Sequence, residues 1–453
     1  MISVAAGVFA PGHLGELTWG LPFELVDAVL AETGRAERRL RDLPSRVGVY
    51  FVLALGLYPD LGYRQVWGKL VAGLAAVPGL LSPSAKALRD LRRRLAEEPI
   101  RELFAVVAGP LAQPVTPGTR FGRWRTVSFD GCTSIKAPDS DRNVGWLSKA
   151  TAALGVTGYP MVELMTLVET GTRAMIGAVF GPTAETETGY ASRLLHLLTP
   201  DMLVLADRGF DATAFLEGVQ ATGAAFLIRL RSTRRPPVLA RLDDGSLLVM
   251  IGTLTVRIIT ADITVTCADG TTWSTTYRPA TTLTDHRRYR ATTLIGLYHQ
   301  RWEHEVAYLA LRHTLLKGRV LRSRDPVGLR QELWALLTLY QLLRIAMVTA
   351  VETIPGLDPD RAGFTTALTT AQDLLINACN VLADGPTDLI GDIGRAVLAD
   401  LAPPRRPRTS VRKIKSPLSR WNKADPHRPR SSTPITDIKI TCAGQTLTTS
   451  AGP

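Results

Sequence analysis

Cysteine is scarce in this 453-residue chain. Cys132, Cys267, Cys379 and Cys442 are too few for a disulfide framework, and no two lie close enough in sequence for a paired-cysteine metal knuckle. That excludes a disulfide-stapled scaffold and fits a reducing cytoplasm. The seven histidines show no ligand spacing. His299, His304 and His313 share one predicted helix, at offsets that put them on different sides of it, so they are expected to be solvated or internally bonded. No apolar run is long enough to span a bilayer: VGVYFVLALGLY stops at Pro59, LWALLTLYQLL ends at Arg344, and both read as buried helices. The N-terminal MISVAAGVFAPGHLGELTWG lacks a basic region followed by an apolar core, so no signal peptide is expected. There is no long internal repeat.

What the chain does have is basic charge. Lys and Arg number 53 against 41 Asp and Glu, a formal net charge of +12. Such an excess favours a polyanionic partner, because each basic side chain that neutralises a phosphate releases counterions. The charge is clustered. Arg35, Arg38, Arg39, Arg41 and Arg46 form one group and Arg89, Arg92, Arg93 and Arg94 another, both inside a helical N-terminal stretch. Runs of this kind are commonly solvated helix faces, and two in one helical domain also suit DNA contact. Residues 403–432 are Pro-rich, lack apolar periodicity and carry ten basic residues, Arg405 to Arg430, against Asp425. They read as a flexible phosphate-binding arm.

The order of elements is legible between these basic regions. PFELVDAVLAETG opens a helical stretch that runs to about residue 105, and PLAQPVTPG (110–118) reads as a linker. From Thr126 the pattern is β-β-β-α-β-α-β. It comprises RWRTVSFDGCT, a hairpin of YPMVELMTLVE and TRAMIGAVFG, a helix in ETETGYASRLLHLL, the doubly buried strand DMLVLADRGF, the helix ATAFLEGVQATG with Asp211 as its expected N-cap, and the strand AFLIRLR. Short antiparallel strands with Asp-Gly turns follow over about 235–285, and helical pattern resumes near Tyr289.

Three acids stand out by placement. Asp130 ends or interrupts the first strand, Asp207 ends the doubly buried strand, and Glu305 lies on the helix after the β-rich stretch. In a mixed sheet of this order the first and fourth strands are neighbours, which would bring Asp130 beside Asp207. A helix crossing that sheet could deliver Glu305. Carboxylates gathered at one point repel unless cations sit there, and oxygen-only ligands suit Mg²⁺ or Mn²⁺. Two such ions can activate an attacking oxygen and stabilise a leaving one at a phosphodiester. Asp at a strand end is also a common turn-former, so neither aspartate is decisive alone. Glu303 is a rival to Glu305 but points away from it around the helix.

The helix itself adds the specific signal. In YHQRWEHEVAYLALRHTL, Tyr298, Arg301, Glu305 and Arg312 sit at offsets 0, 3, 7 and 14. At ~100° per residue they fall on one stripe within about 60°. Arg301 and Glu305 could simply pair at i,i+4, but that leaves the rest of the stripe unexplained. FDGCT (129–133), VLADRGF (204–210) and Tyr298-x2-Arg301-x3-Glu305-x6-Arg312 together resemble the DDE transposases of the IS4 group, whose hallmark is Tyr-x2-Arg-x3-Glu-x6-Lys on the helix of the third acid. Arg312 stands where that group has Lys, and Cys132 intervenes before Thr133 where Asp-Gly-Thr is common. The N-terminal ELTWGLPFELVDAVLAETGRAERRLRDLPSRVGVY resembles the group's N-terminal domain.

The resemblance implies an α/β fold: an RNase H-like mixed five-stranded sheet with a β-rich insertion, an N-terminal helical domain and a basic C-terminal tail. It divides the chain into an N-terminal helical DNA-binding domain (1–109), a first part of the catalytic core (122–231), the insertion (232–290), a second part of the core with the Glu helix (291–350), a C-terminal helical region (351–402) and the tail (403–453). It implies cut-and-paste transposition of an insertion sequence in the bacterial cytoplasm: nicking at terminal inverted repeats, a hairpin intermediate, and transfer of a 3′-OH into target DNA. Asp130, Asp207 and Glu305 would be catalytic and bind two Mg²⁺, with Mn²⁺ as a substitute. Tyr298, Arg301, Arg312 and Arg208 would contact DNA, and Trp273, with Tyr277 as its rival, would stack on an extruded base. The partners would be double-stranded DNA and a second copy of the chain in a synaptic dimer. The alternatives are a non-catalytic DNA-binding descendant and an RNase H-like nuclease without strand transfer.

Overall fold

Alternation along the strands decides the architecture. In a computed structural model, described over residues 12–37, 41–73, 82–149, 151–152, 155–156, 158–377, 390–403, 408–409, 413–414, 423–424, 433–442 and 445–450, five strands form the central sheet. They are β1 (Trp124–Lys136), β2 (Met161–Glu169), β3 (Met175–Pro182), β4 (Met202–Ala206) and β5 (Ala225–Arg229), in spatial order 3-2-1-4-5. β1, β4 and β5 run parallel, while β2 and β3 form the antiparallel hairpin expected from sequence. MLVLA in β4 is buried along its whole length. Its Val204 and Ala206 join Val127, Phe129, Phe226 and Ile228 in one core, under the helices Glu187–Ser192 and Thr213–Ala221. Its Leu203 and Leu205 join Leu227, Leu294 and Ile295 in another, under the helix Ala291–Tyr298. Period-2 burial on both faces is what a sheet covered by helices requires.

The β-rich segment is not a separate body. It contributes β6 (Val238–Arg241), β7 (Leu247–Ile251), β8 (Leu254–Ile258), β9 (Ala261–Cys267), β10 (Thr272–Tyr277) and β11 (Pro279–Thr281). β11 pairs with β5, and β8, β7 and β6 follow outward, so the expected five-stranded sheet becomes one of ten strands, including the short Arg120–Phe121 beside β1. Only β9 and β10 leave it, to form a second small sheet. The expected tail also changes there. β12 (Thr433–Cys442) pairs with β9, and β13 (Gln445–Ser450) pairs with β12, burying Ile440 and Cys442 against the insertion. A flexible tail running to residue 453 is therefore corrected over 433–442 and 445–450: ITDIKITC alternates as a half-buried strand does. Most of the basic segment 403–432 lies outside the described residues.

The N-terminal helices Phe23–Glu32, Ser45–Leu57, Tyr63–Ala72, Ala85–Leu95 and Glu98–Val107 do not stand alone either. They share one core with Pro326–Glu352, Phe364–Ile376 and Gly391–Ala399. The apolar helix Pro326–Glu352 is long enough to cross a membrane, yet 78% of its most apolar window is buried inside the protein, as the hub of this bundle. Gly56 sets how closely the helices approach: a methyl group there would meet Leu339 Cδ1 at 2.6 Å. Arg92 is 6% exposed, ion-paired to Glu332 at 3.2 Å and bonded to Gln331 Oε1 at 2.9 Å and Ser323 Oγ at 3.1 Å. Arg94 donates to Leu43 O, and Arg46 pairs with Asp27. Arg92 is thus bound internally, while Arg41, Arg89 and Arg93 remain exposed; Arg38 and Arg39 lie outside the described residues.

Candidate active site

Register brings the first two acids level. β1 and β4 run parallel with Ser128 opposite Leu205, and Asp130 and Asp207 each lie two residues further on. They therefore lie level, just past the point where β1 and β4 stop pairing, on strands about 4.8 Å apart, although β1 itself runs on beside β2. Asp207 turns the chain: its Oδ1 accepts from Gly209 N at 2.7 Å and caps the short 3-10 turn Arg208–Phe210. Asp211 does not cap the following helix as expected. Its carboxylate accepts from Arg231 N at 2.8 Å and pairs with Arg234 at 2.6 Å.

The helix carrying Glu305 is clamped across this point, and it is broken where a continuous helix was expected. Ala291–Tyr298 passes through a 3-10 turn into Trp302–Leu309 and then a π-helical turn, Ala310–Leu315. Tyr298, 4% exposed, donates to Ala206 O at 3.2 Å, one residue before Asp207. Its hydroxyl, expected to meet a phosphate, is engaged by the strand backbone beside Asp207. On the far side, Tyr308 donates to Asp130 O at 2.6 Å. His304 is fully buried between Ser128 Oγ at 2.8 Å and Thr166 Oγ1 at 2.6 Å. Thr166 gives its own proton to Tyr308, so His304 donates through Nε2 and accepts at Nδ1, a neutral ring. Burial, with Arg301 adding, holds its pKa down at about 3. These bonds fix Glu305 between β1 and β4. Glu303, the rival, pairs with Arg173 at 2.7 Å.

The electrostatics draw the three acids together. Burial pushes the Asp130 carboxyl up to about 7; Arg301 opposes the shift, and Asp207 and Glu305 add to it. Arg301 is largely buried and lies 3.8 Å from the half-exposed Glu305 carboxylate. Arg312 is separate: it sits on the π-helical turn, with His313 Nε2 at 3.2 Å. Arg208 and Arg231 are exposed and line a cleft of about 400 Å³ with Asp207, Gly209 and Ser232. Trp273 is half-buried against the core of the second sheet. Tyr277 instead lies edge-on to Tyr298 at 5.7 Å, with Arg229 over its ring at 4.2 Å.

Sequence reasoning missed Tyr308, Arg231 and two further carboxylates. Glu163 sits in the otherwise apolar MVELMTLVE, 3% exposed, its Oε1 without a hydrogen-bond partner. Burial pushes its carboxyl up to about 7, and Glu187 adds to the shift. Burial, then Asp207, likewise raises the Glu187 carboxyl. The lone acid in an apolar strand was the available signal.

A sheet of order 3-2-1-4-5 with acids on β1, after β4 and on a later helix is the architecture of an RNase H-like polynucleotidyl transferase. Residues 11–105 match the family described as insertion element 4 transposase N-terminal, and residues 127–342 match the transposase DDE domain. The transposase InsG for insertion sequence element IS4 of Escherichia coli (strain K12) is 25% identical over 409 residues, covering 86% of this chain and 90% of that protein. A cryo-EM structure of a piggyBac transposase synaptic complex with hairpin DNA aligns over 86% of this chain and 85% of its own, at 12% identity and a TM-score of 0.41. The chain belongs to the IS4 family of DDE transposases, enzymes of DNA transposition.

DDE transposases use divalent metal ions. Among the described residues no three His, Cys, Asp or Glu side chains stand close enough together to hold a metal ion as they are placed. The donors nevertheless suit a hard cation: all are carboxylate oxygens, Asp130 feels two further negative charges, and a buried Glu163 oxygen is orphaned nearby.

Proposed function

We propose that Asp130, Asp207 and Glu305 are the catalytic triad of a Mg²⁺-dependent cut-and-paste reaction, with two ions and with Mn²⁺ as a substitute. The observation that carries this reading is the electrostatic coupling of these acids, drawn from three distant segments, around Arg301. Bound divalent cations supply activation of the attacking oxygen and stabilisation of the leaving one. The chain's own residues do the rest. Asp130 and Asp207 present oxygens from the rigid sheet, and Glu305 closes the site from above. His304, Tyr308 and Tyr298 keep that helix in register with the two strands. Arg301 is positioned to hold a non-bridging phosphate oxygen, and Arg208 and Arg231 to hold the strand beside Asp207. Arg312, on its separate turn, would meet a more distant phosphate.

The substrates are double-stranded DNA: the terminal inverted repeats and the target. Hydrolysis frees a 3′-OH, which attacks the opposite strand to give a hairpin; after the hairpin is opened, the 3′-OH joins target DNA. The working unit is a homodimer that pairs two ends in the bacterial cytoplasm. The test is a cleavage assay with the gene's flanking DNA and Mg²⁺, comparing wild type with Glu305→Gln on denaturing gels. Nicks or hairpins at the element ends from wild type alone support the reading. Binding without cleavage by either protein would point instead to a non-catalytic descendant.

A further inference from the structure

Glu305 reaches the level of Asp130 and Asp207 from one face of the sheet, and a fourth carboxylate reaches it from the other. Glu187 opens the helix Glu187–Ser192, whose Tyr190 and Ala191 pack on the face of Val127 and Phe129. A methyl group built on Gly209 would lie 2.7 Å from Glu187 Oε2 and 2.9 Å from Asp207 Oδ1. One built on Gly131 would lie 3.0 Å from Glu187 Oε1 and 2.8 Å from Glu163 Oε1. Glu187 therefore spans the glycine after Asp130 and the turn that Asp207 caps, and both positions lack the Cβ that would fill the space. Glu163 is 3% exposed, and its unpartnered oxygen is aimed into the same space. No lysine or arginine among the described residues forms an ion pair with Glu163 or Glu187; nearby Arg193 is taken by Glu185 and Arg301 by Glu305. Glu187 is open to solvent, but Glu163 is a buried carboxylate with neither donor nor counter-charge, which is costly to keep unless a ligand supplies the charge.

We propose that Glu187 is a fourth acidic ligand of the centre, sharing a divalent cation with Asp207 on the face opposite Glu305, with Glu163 as the positioning residue behind it. The proposal rests on the reading of Asp207 as a metal ligand. Asp207 then stands between two cation positions, one shared with Asp130 and Glu305 and one shared with Glu187, each built from hard oxygen donors.

The test is binding of Mn²⁺ alone to the full-length protein, followed by electron paramagnetic resonance of the free ion, for wild type, Glu187→Gln, Glu187→Asp, Asp207→Asn and Glu185→Gln. Glu185→Gln removes the same charge two residues away and should bind as wild type does. Glu187→Gln should weaken Mn²⁺ binding about tenfold or more, and Glu187→Asp, which keeps the charge, should weaken it less. Melting gives a second readout that does not need DNA. Without metal, Glu187→Gln should melt above wild type because a repulsion is gone, and Mn²⁺ should raise its melting temperature less. Wild-type Mn²⁺ binding in Glu187→Gln, with loss in Asp207→Asn, would overturn the role of Glu187 and leave the centre intact. Wild-type binding in Asp207→Asn as well would overturn the centre and this proposal together.

Discussion

Protonating His304 should release the helix that carries Glu305, and the size of the effect follows from its surroundings. The ring is fully buried, and both nitrogens are engaged by Ser128 and Thr166. Its pKa falls from 6.5 to about 3 because burial, reinforced by Arg301, disfavours the charged form. A depressed histidine is neutral in both folded and unfolded chains above pH 6.5, so it costs nothing there. As pH falls below 6.5 the unfolded chain binds the proton and the folded one does not, so stability is lost down to about pH 3. The slope is about 1.4 kcal/mol per pH unit, which gives a loss of about 2 kcal/mol at pH 5 relative to pH 7.5. The measurement is the urea midpoint of wild type and His304→Gln across pH 5 to 7.5. The variant should be less stable at pH 7.5 by about 1–3 kcal/mol, from broken buried hydrogen bonds. Its curve should then fall less steeply, so that the gap narrows by about 2 kcal/mol at pH 5. Parallel curves would refute the neutral, buried clamp.

Asp130→Asn and Asp207→Asn should each abolish strand cleavage while retaining binding to the element ends in a gel-shift assay; loss of binding would make these acids structural. Arg92→Met should cost about 3–5 kcal/mol of stability in denaturant titrations, because it strands Glu332 inside the bundle, and should leave the salt dependence of DNA binding unchanged. Replacing Arg208 and Arg231 together by Ala should flatten the log–log salt dependence of DNA binding by about 0.9 for each phosphate that is no longer neutralised, with an unchanged slope dismissing the cleft beside Asp207 as a strand site. Tyr277→Ala should reduce hairpin formation more than Trp273→Ala, since Tyr277 abuts Tyr298 while Trp273 packs into the second sheet; the reverse ranking would restore Trp273 as the stacking residue.

Local chemistry made the core strands legible. MLVLA and AFLIR are too apolar and too short for anything but strands covered on both faces, and the order β-β-β-α-β-α-β then leaves β1 and β4 as neighbours. The spacing of Tyr298, Arg301, Glu305 and Arg312 marked the helix of the third candidate acid for the same reason: helical periodicity is a property of the local chain. Partners chosen at long range were not legible. Arg92 reads as surface charge until Glu332, 240 residues later, folds against it. TTYRPA carries no sign that its last residues, as β11, will extend the central sheet. The C-terminal strand shows its alternation but not that β9 will pair with it. Glu187 is an ordinary acid in sequence, and only the packing of its helix over Gly131 and Gly209 brings it to Asp207, and to Glu163 on the neighbouring strand. The sequence by itself determined the strands, the helix of Glu305 and the acids they carry, because burial and periodicity act over a few residues. The tertiary structure alone decided which charges are bound inside the protein and that Glu163 and Glu187 join the acids already expected to meet, because both depend on the burial created when distant segments meet.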